Sequence, residues 1–449
     1  MSDTGLRRAI GGRMLIVFIV GDILGAGIYA LVGRLAGDVG GTVWLPLAIG
    51  FVVAGLTAAS YAELVGKYPR AAGAALYTHR AFERPFLTFI VAFAVMMSGI
   101  ASASAAAIAF GGKYFAEAFA GVFDAPPTVV AAMLFLAIIT IVNFIGIRES
   151  IKVNLVLTLV EVSGLLIVIV VGFLGIAQGT GEPARVFELE APKGAALGIL
   201  AATATGFYAL IGFEDAVNLA EETDEPHRTF PRALFIGIGL TGLVYILVSA
   251  IAVVLVPPAR LATSTGPLLE VVTAAGVNFP PRMFAIISLL AIGNTALINM
   301  IMASRLLYGM ANERIVPGAF ARLHPTRQTP IVAIAFTVLI SAALIATGDL
   351  GELAQTTVLL LLLVFALVNI SVLVLKRRPV EHPHFKTPRW AAALGAVTSL
   401  VLASPITGRP ASVYLLAAIL VGIGAALWGV NRLITGRRIT QLDAEKLGK

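Results

Sequence analysis

Long apolar runs, repeated from one end to the other, constrain this 449-residue chain more than any other feature. Hydrophobic residues make up 58% of it and charged residues only 13%, whereas soluble globular chains average about 25% charged residues. An apolar run of about 20 residues is long enough for a helix to cross a bilayer. The sequence therefore predicts an all-α polytopic membrane protein with twelve transmembrane helices, at 13–36, 42–65, 86–111, 127–147, 152–177, 195–221, 231–256, 282–309, 330–348, 353–375, 389–407 and 411–431.

The distribution of Lys and Arg predicts the orientation of these helices. A cytoplasmic N-terminus puts 25 of the 32 Lys and Arg residues on the cytoplasmic side, as the positive-inside rule requires. Both termini are therefore predicted to be cytoplasmic, in a multi-pass protein of the cell membrane. The same bias accounts for the net charge of +7, so that charge does not indicate a nucleic-acid partner. The lipid bilayer is the predicted surrounding, and the sequence carries no signal for an oligomeric state.

Residue types that the apolar runs lack argue against several classes of function. The chain has no Cys, and all five His residues fall in predicted cytoplasmic connections. A catalytic pair or a metal site at membrane depth would have neither a thiolate nor an imidazole, so we expect no enzyme, no metal and no other cofactor. The phosphate-binding GxxxxGK[ST] sequence of an ATP-driven pump is absent. The intramembrane acids are too few and scattered for the continuous polar pore of a channel.

The first apolar run contains VGDILGAGIYALVG, residues 20–33, a poor helix-forming sequence. Glycine costs about 1 kcal/mol per residue relative to alanine in a helix, and Gly21, Gly25 and Gly27 begin about 12 Å into the bilayer. Backbone that unwinds at this depth must line a cavity or be packed in protein. The stretch, which also holds Asp22, predicts an interrupted helix, although its GxxxG-like spacing is typical of close helix packing as well.

The sixth run carries a second candidate interruption, TGFYALIGFEDAVNLAEE, in which Gly206 and Gly212 flank FYALI. Helices 1 and 6 would each begin a set of five helices, 1–5 and 6–10, with opposite membrane orientation. Glycine-interrupted spans at corresponding positions of two halves indicate the binding site of a transporter. A half-helix N-terminus binds carboxylate, while unwound carbonyls bind an ammonium group or cation. Two adjacent interruptions could therefore hold the zwitterionic head of an amino acid.

Three motifs in order resemble the amino acid–polyamine–organocation superfamily, over nearly the full chain. GAGIY (25–29) is similar to the family's first-helix pattern G-[SA]-G-I-[FY], and ASRLLYGMANERIVP (303–317) to the end of the eighth helix. FYALIGFEDAVNLAEETDEPHRTFPRAL (207–234) is similar to the sixth helix and the loop that follows it. The resemblance implies an amino acid permease with a LeuT-like 5+5 inverted repeat, broken helices 1 and 6, and alternating access.

The resemblance also implies a binding site between helices 1, 3, 6, 8 and 10. Amides of the first helix would bind the substrate carboxylate, carbonyls of the sixth would face its amino group, and an aromatic side chain of the sixth would act as a gate. We add a helix 3 serine that is polar enough to contact substrate. The predicted substrate-binding residues are Gly25, Ala26, Gly27, Ile28, Phe207, Tyr208, Ile211 and Ser102.

One position departs from the family pattern. Sodium-independent members often carry a lysine in helix 5, where this chain has Glu161. Glu161 and Asp22 each cost several kcal/mol in hydrocarbon unless paired, protonated or hydrated. We predict that one of them, Glu161 by preference, couples transport to protons. A hydrogen-bonded structural acid at Glu161, a helix cap at Asp22, sodium coupling and ion-free exchange are the alternatives. Glu214 and Asn218 share a helix face and are predicted to line an inner gate.

These predictions divide the chain into five parts and give it a function. The parts are a cytoplasmic N-terminus (1–12), a first repeat (13–177), a second repeat (195–375), helices 11 and 12 (389–431) and a cytoplasmic tail (432–449). The predicted function is secondary active transport of amino acids, and the small residues around Ala26 favour neutral ones. A net negative charge from Asp22 and Glu161 would instead favour cationic amino acids or polyamines.

Overall fold

The structure, a computed structural model, describes residues 10–70, 73–145, 150–192 and 194–435. The segment 1–9 and the tail 436–449, which hold most of the two predicted cytoplasmic termini, lie outside the described residues. The same applies to Arg148 and Lys193, which contributed to the orientation argument.

The described part of the chain is nearly all helical, and its only β structure consists of isolated bridges such as the one between Ile10 and Thr223. The all-α prediction is therefore confirmed. The α-helices are α1 Gly12–Ile23, α2 Ala26–Val39, α3 Trp44–Lys67, α4 Gly73–Phe82, α5 Pro85–Phe110, α6 Lys113–Ala118, α7 Thr128–Ile145, α8 Ser150–Ala177, α9 Ala195–Gly206, α10 Pro226–Leu255, α11 Pro258–Thr263, α12 Pro267–Ala274, α13 Pro281–Asn312, α14 Ile331–Thr347, α15 Leu350–Leu375, α16 Arg389–Ala403 and α17 Ala411–Thr435.

Nine helical segments of the described chain are long and apolar enough to cross a membrane, and the bent pair α1–α2 makes ten. The protein is thus a polytopic membrane protein. Each of the twelve predicted runs coincides with helix, but α14 and α16 have only 17 and 15 residues. The count of twelve spans and the inverted repeat therefore stay predictions, as does the division into five parts.

The first span is interrupted where its glycines predict. Helix α1 ends at Ile23, α2 begins at Ala26, and their axes differ by 45°. Gly25 between them is extended, with φ −77° and ψ −165°. The alternative role of these glycines, close packing, is also present, because a Cβ on Gly21 would collide with the side chain of Thr158 on α8.

The sixth span is interrupted more thoroughly. Helix α9 ends at Gly206 and continues as one 3₁₀ turn, Phe207–Leu210. Ile211 is extended, and Gly212 has a φ of +126°, which favours glycine because it has no Cβ. A second 3₁₀ turn, Asp215–Leu219, follows, and the next α-helix is α10.

The two interrupted spans lie at the centre of the helix bundle. Helix α1 packs against α10, α2 packs against α9 and α11, and α5 packs against both α13 and α15. Among the long spans α5 and α15 are the most buried, whereas α17 is the least. The short helices α4, α6, α11 and α12 fall in connections for which the sequence analysis predicted no helix. They carry polar side chains to the two ends of the bundle.

Candidate functional site

A cavity of about 320 Å³ lies between the two interruptions. Its walls come from α1, the start of α2, α3, α5, α13, α15 and the segment after Tyr208. The lining residues nearest the interruptions are Gly21, Asp22, Ile23, Gly25, Ala26, Gly27, Tyr208, Ile211, Gly212, Asn294, Thr295, Asn299 and Ser102. Helices that are otherwise apolar therefore bring polar groups and backbone outside regular helix to one space inside the bundle.

The backbone of the first interruption is held by hydrogen bonds from several elements. Gly25 N–H donates to the Ile23 carbonyl (2.7 Å) and Ala26 N–H donates to Thr295 Oγ1 (3.0 Å). The hydroxyl of Tyr245 on α10 also donates to the Ile23 carbonyl, at 2.6 Å. Helix geometry leaves the next N–H groups, those of Gly27 and Ile28, without an intrahelical acceptor. The amides of Gly25 and Ala26, which were predicted with that of Gly27 to bind a carboxylate, are therefore engaged within the protein.

The sixth-span segment is fixed by its own polar groups. The hydroxyls of Tyr208 and Ser102 are hydrogen-bonded at 3.1 Å, which joins this segment to α5. Gly212 N–H donates to Glu214 Oε2 at 3.0 Å. The two interruptions also touch directly: a Cβ on Gly27 would lie 2.5 Å from Ala209 Cα, and one on Gly212 would lie 2.5 Å from the Asp22 carbonyl oxygen. Glycine is required at these two positions because backbone meets backbone there.

Three carboxylates line the cavity. They belong to Asp22, Glu214 and Asp215, while Arg305 on α13 is a cationic residue that also lines the cavity. The Oδ2 atom of Asp22 is buried and has no hydrogen-bond partner in the described part of the protein. The carboxylates of Glu214 and Asp215 are close enough to Asp22 for mutual repulsion when ionised. The cavity is therefore acidic on the side formed by the two interruptions.

Glu161 lies behind this wall, outside the cavity lining. It is completely buried, next to Asp22 and Asn294. Among the described residues neither of its carboxylate oxygens has a hydrogen bond of normal geometry. Its backbone carbonyl is bound by the Tyr29 hydroxyl at 2.8 Å. The mid-membrane depth of Glu161 stays a prediction, while the structure places it next to Asn294 and Asp22, which line the cavity.

The structure brings most of the predicted site residues together. Gly25, Ala26, Gly27, Tyr208, Ile211, Ser102, Asp22, Glu214 and Asn218 all line the cavity. Two predicted substrate contacts do not. The side chain of Ile28 is buried in the core, and Phe207 is completely buried, with its ring 6.2 Å from that of Phe365. Because Phe207 points away from the cavity, Tyr208 is the aromatic residue of this pair that can face a substrate here.

Sequence reasoning missed several lining residues. Tyr61 on α3, Met96 on α5 and Thr357 on α15 all reach the cavity. Aromatic, methionine and threonine side chains within apolar helices are most often core residues, so no sequence signal distinguished them. Arg305 lies near the cytoplasmic end of the eighth predicted run, 282–309, and was used only as one of the positive charges that predict the orientation. Its position on the wall depends on how α13 packs.

The cavity is open at one end. Gly73, Ala74 and Asn218 line that end, together with Met302 and Arg305, which are exposed. These residues come from the side that the charge distribution predicts to be cytoplasmic. On the far side, a Cβ on Gly33 of α2 would collide with Leu261 of α11.

Ion pairs join the elements on the far side. Arg34 and Asp349 are 2.9 Å apart, and the buried Glu270 pairs with both Lys113 and Arg260. Burial acts to raise the pKa of the Glu270 carboxyl, but hydrogen bonds and charge from Lys113 and Arg260 outweigh it and hold that pKa below its usual value. The far side is therefore closed by packing and by charge.

Comparison with known proteins finds sequence matches over nearly the whole chain. The profile described as "Amino acid permease" matches residues 10–427. An uncharacterised transporter of Mycobacterium tuberculosis is 30% identical over 443 residues, or 98% of this chain and 94% of that protein. The branched-chain amino acid permease of Bacillus subtilis is 28% identical and covers 86% of this chain and 85% of its own. The cationic amino acid transporter 4 of mouse is 30% identical over 85% of this chain and 62% of its own.

Proposed function

Because this chain belongs to the amino acid permease family of the amino acid–polyamine–organocation superfamily, we propose that it is a secondary active transporter that moves amino acids across the cytoplasmic membrane by alternating access. The transported solute is a small amino acid, and the driving force is a proton gradient. The family consists of transporters rather than enzymes, so the chemistry of the site is that of binding and release.

The observation that carries this proposal is the meeting of two interrupted helices at one cavity. Helix α2 presents its N-terminus there, with free N–H groups and a partial positive charge that favours carboxylate. The helical segment that ends at Leu210 presents its last carbonyls beside Ile211, where they favour an ammonium group. An α-amino acid carries both groups on one carbon. Gly27 and Ala209 are in backbone contact, so both ends of one small zwitterion lie within reach.

A neutral side chain suits the wall opposite the interruptions. Val95 and Met96 of α5, Ile298 of α13 and Leu361 of α15 line it. Burial of apolar surface against these side chains contributes roughly 25 cal/mol per Å². Cationic amino acids are the second candidate, because Asp22, Glu214 and Asp215 line the same cavity. The curated relatives include permeases named for both classes.

Glu161 is the proposed coupling residue. It is completely buried, both carboxylate oxygens lack a hydrogen bond of normal geometry among the described residues, and an ionised carboxylate at such a site costs several kcal/mol. A proton on Glu161 removes that cost. A residue that is neutral in one step of the cycle and ionised in another links the transport of substrate to the transport of a proton.

Uptake by the purified protein in liposomes tests the proposal. We expect saturable uptake of neutral amino acids, accelerated by an inside-alkaline pH gradient and unchanged when potassium replaces sodium. Faster uptake of arginine, lysine or putrescine than of neutral amino acids would instead establish the second candidate. If a panel of neutral and cationic amino acids and amines gave no uptake above empty liposomes, amino acid transport would be refuted.

A further inference from the structure

We propose that Asp215, Glu214 and Asp22 form a chain of carboxylates that carries a proton between the cavity and the buried Glu161. The inference rests on the proposed proton coupling and names the route that coupling takes. In each step a proton leaves a carboxyl O–H and binds an oxygen of the next carboxylate, directly or through water. The net reaction is the movement of one proton, so no other reactant is consumed.

A relay is needed because Glu161 does not reach the cavity. Its side chain is completely buried on α8, behind α1 and Asn294. Helices α1 and α8 are packed so closely at this point that Gly21 has no room for a Cβ beside Thr158. A proton on Glu161 therefore has no direct path to water in this conformation.

The outer end of the carboxylate chain lies in the open half of the cavity. Asp215 is partly exposed and lines the cavity together with Asn218, which follows it on the same 3₁₀ turn. Its backbone N–H donates to the Gly212 carbonyl at 3.0 Å, so the residue is held at the interruption. Water that enters from the open end therefore meets Asp215.

In the middle of the carboxylate chain, Glu214 is held in place by Gly212. Glu214 Oε2 accepts a hydrogen bond from Gly212 N–H at 3.0 Å, and Gly212 is in backbone contact with Asp22. Both Glu214 and Asp215 repel Asp22 electrostatically when ionised. Glu214 is therefore next to the partly exposed Asp215 in sequence and is joined to the first interruption through Gly212.

The inner end is the pair formed by Asp22 and Glu161. Asp22 is close enough to Glu161 for the two carboxylates to repel each other when both are ionised. Asp22 Oδ2 and both Glu161 oxygens are buried without a hydrogen bond of normal geometry in the part of the chain that the structure describes. These three acceptor atoms are therefore available to bind a proton in turn.

The other titratable groups that face this chain come from four elements. The hydroxyls of Tyr29 on α2 and Tyr245 on α10 are near Glu161. Tyr61 on α3 is near Glu214 and Asp215, and Arg305 on α13 lines the cavity at its open end. Tyr29 and Tyr245 donate to the backbone carbonyls of Glu161 and Ile23. Their protons are therefore engaged outside the carboxylate chain.

The test compares E214Q with E221Q in liposomes. Glu221 is a matched control: it lies seven residues further along the same segment, outside the cavity lining, and 3.9 Å from Arg70. Two rates are measured for each protein: uptake driven by an imposed pH gradient, and substrate counterflow without a gradient. We expect E214Q to slow gradient-driven uptake about tenfold more than counterflow, E214D to restore the balance of the two rates, and E221Q to match the unmodified protein.

The outcomes separate this route from the proposed function. If the unmodified protein ignores the pH gradient, proton coupling fails and the route fails with it. If the unmodified protein is driven by the gradient but E214Q retains its normal ratio of the two rates, the route is refuted and the function stands. Accumulation that follows a sodium gradient would show that these carboxylates hold a cation, which overturns the route. Should E214Q not fold, D215N is held to the same criterion.

Discussion

The two interrupted spans break in different ways. In the first span only Leu24 and Gly25 separate two α-helices. In the sixth, α9 is followed by two 3₁₀ turns and extended residues, and no α-helix resumes before Pro226. The comparison separates two uses of a weak helix. The first interruption keeps a new helix N-terminus at the cavity, whereas the sixth replaces helix with a chain segment that carries acids.

Burial explains why helix resumes in one case and not in the other. Eleven of the fourteen residues of α2 are buried, so its packing compensates for its glycines. The sequence after Gly212, FEDAVNLAEE, is rich in acids, and Glu214, Asp215 and Asn218 face the cavity. A helix here would have little apolar surface to bury on that side. Substitutions that target each interruption separately test whether the two differ in this way.

The largest effect is expected from Gly212→Ala. Its φ of +126° is strained for any residue with a Cβ, and the new methyl group would meet the Asp22 carbonyl. We expect destabilisation by about 2–3 kcal/mol and loss of uptake. The thermal unfolding midpoint in detergent measures the loss of stability, and uptake in liposomes measures the loss of transport. Gly239→Ala on α10, where nothing lies within 4 Å, is the control; equal behaviour of the two variants would show that backbone contact does not hold the interruptions together.

The second-largest effect is expected from Gly27→Ala. The added Cβ would lie 2.5 Å from Ala209 Cα, a backbone atom that cannot rotate away, whereas a Cβ on Gly25 would meet the hydroxyl of Thr295 at 2.9 Å. Gly27→Ala is expected to destabilise by about 1–3 kcal/mol and to reduce uptake far more than Gly25→Ala. Parallel uptake assays at matched protein content decide the order. The reverse order would place the critical contact within the first span.

Thr295→Val is expected to have an intermediate effect. The substitution keeps the shape of the side chain but removes the acceptor for Ala26 N–H. A buried N–H without a partner costs about 1–3 kcal/mol, so the thermal midpoint should fall. Thr295→Ser keeps the acceptor and should stay near the unmodified protein. A lower midpoint for Thr295→Ser alone would mean that packing of the Thr295 methyl group matters instead.

Tyr208→Phe is expected to have the smallest effect. It removes the hydroxyl that is hydrogen-bonded to Ser102, at a cost of about 0.5–1.5 kcal/mol. Uptake should be reduced but retained, because the ring remains on the cavity wall. The effect is measured as the change in the KM of uptake, and the same measurement on Ser102→Ala serves as the comparison. Complete loss of uptake would show that the hydroxyl, rather than the backbone of this segment, is the main contribution of the sixth interruption.

The sequence carried enough information to predict the membrane fold and the position of both interruptions. Glycine in the middle of an apolar run can be recognised from the sequence alone, because it lowers helix stability whatever the helix packs against. Gly25 and Gly212 were found in this way. The difference between the interruptions was not predicted, because it depends on which neighbours bury α2 and which leave Asp215 facing a cavity.

The direction in which individual side chains point could not be predicted from the sequence either. Phe207 and Tyr208 are adjacent aromatic residues, yet one packs on Phe365 and the other lines the cavity. Glu161 is completely buried on α8, but its position along the sequence does not say whether it meets the cavity or the back of α1. Such distinctions arise from helix rotation and tertiary packing, which spacing along one chain does not specify.

The lowered pKa of Glu270 has a consequence for experiments in acid. A carboxyl whose pKa falls on folding contributes stability above its unfolded pKa and loses it only as the pH drops through the lower, folded value. Its pairs with Lys113 and Arg260 therefore persist at acidities that protonate ordinary glutamates. These ion pairs join α6, α11 and α12. If transport changes between neutral and mildly acidic buffer, the titrating group must therefore lie in another part of the molecule.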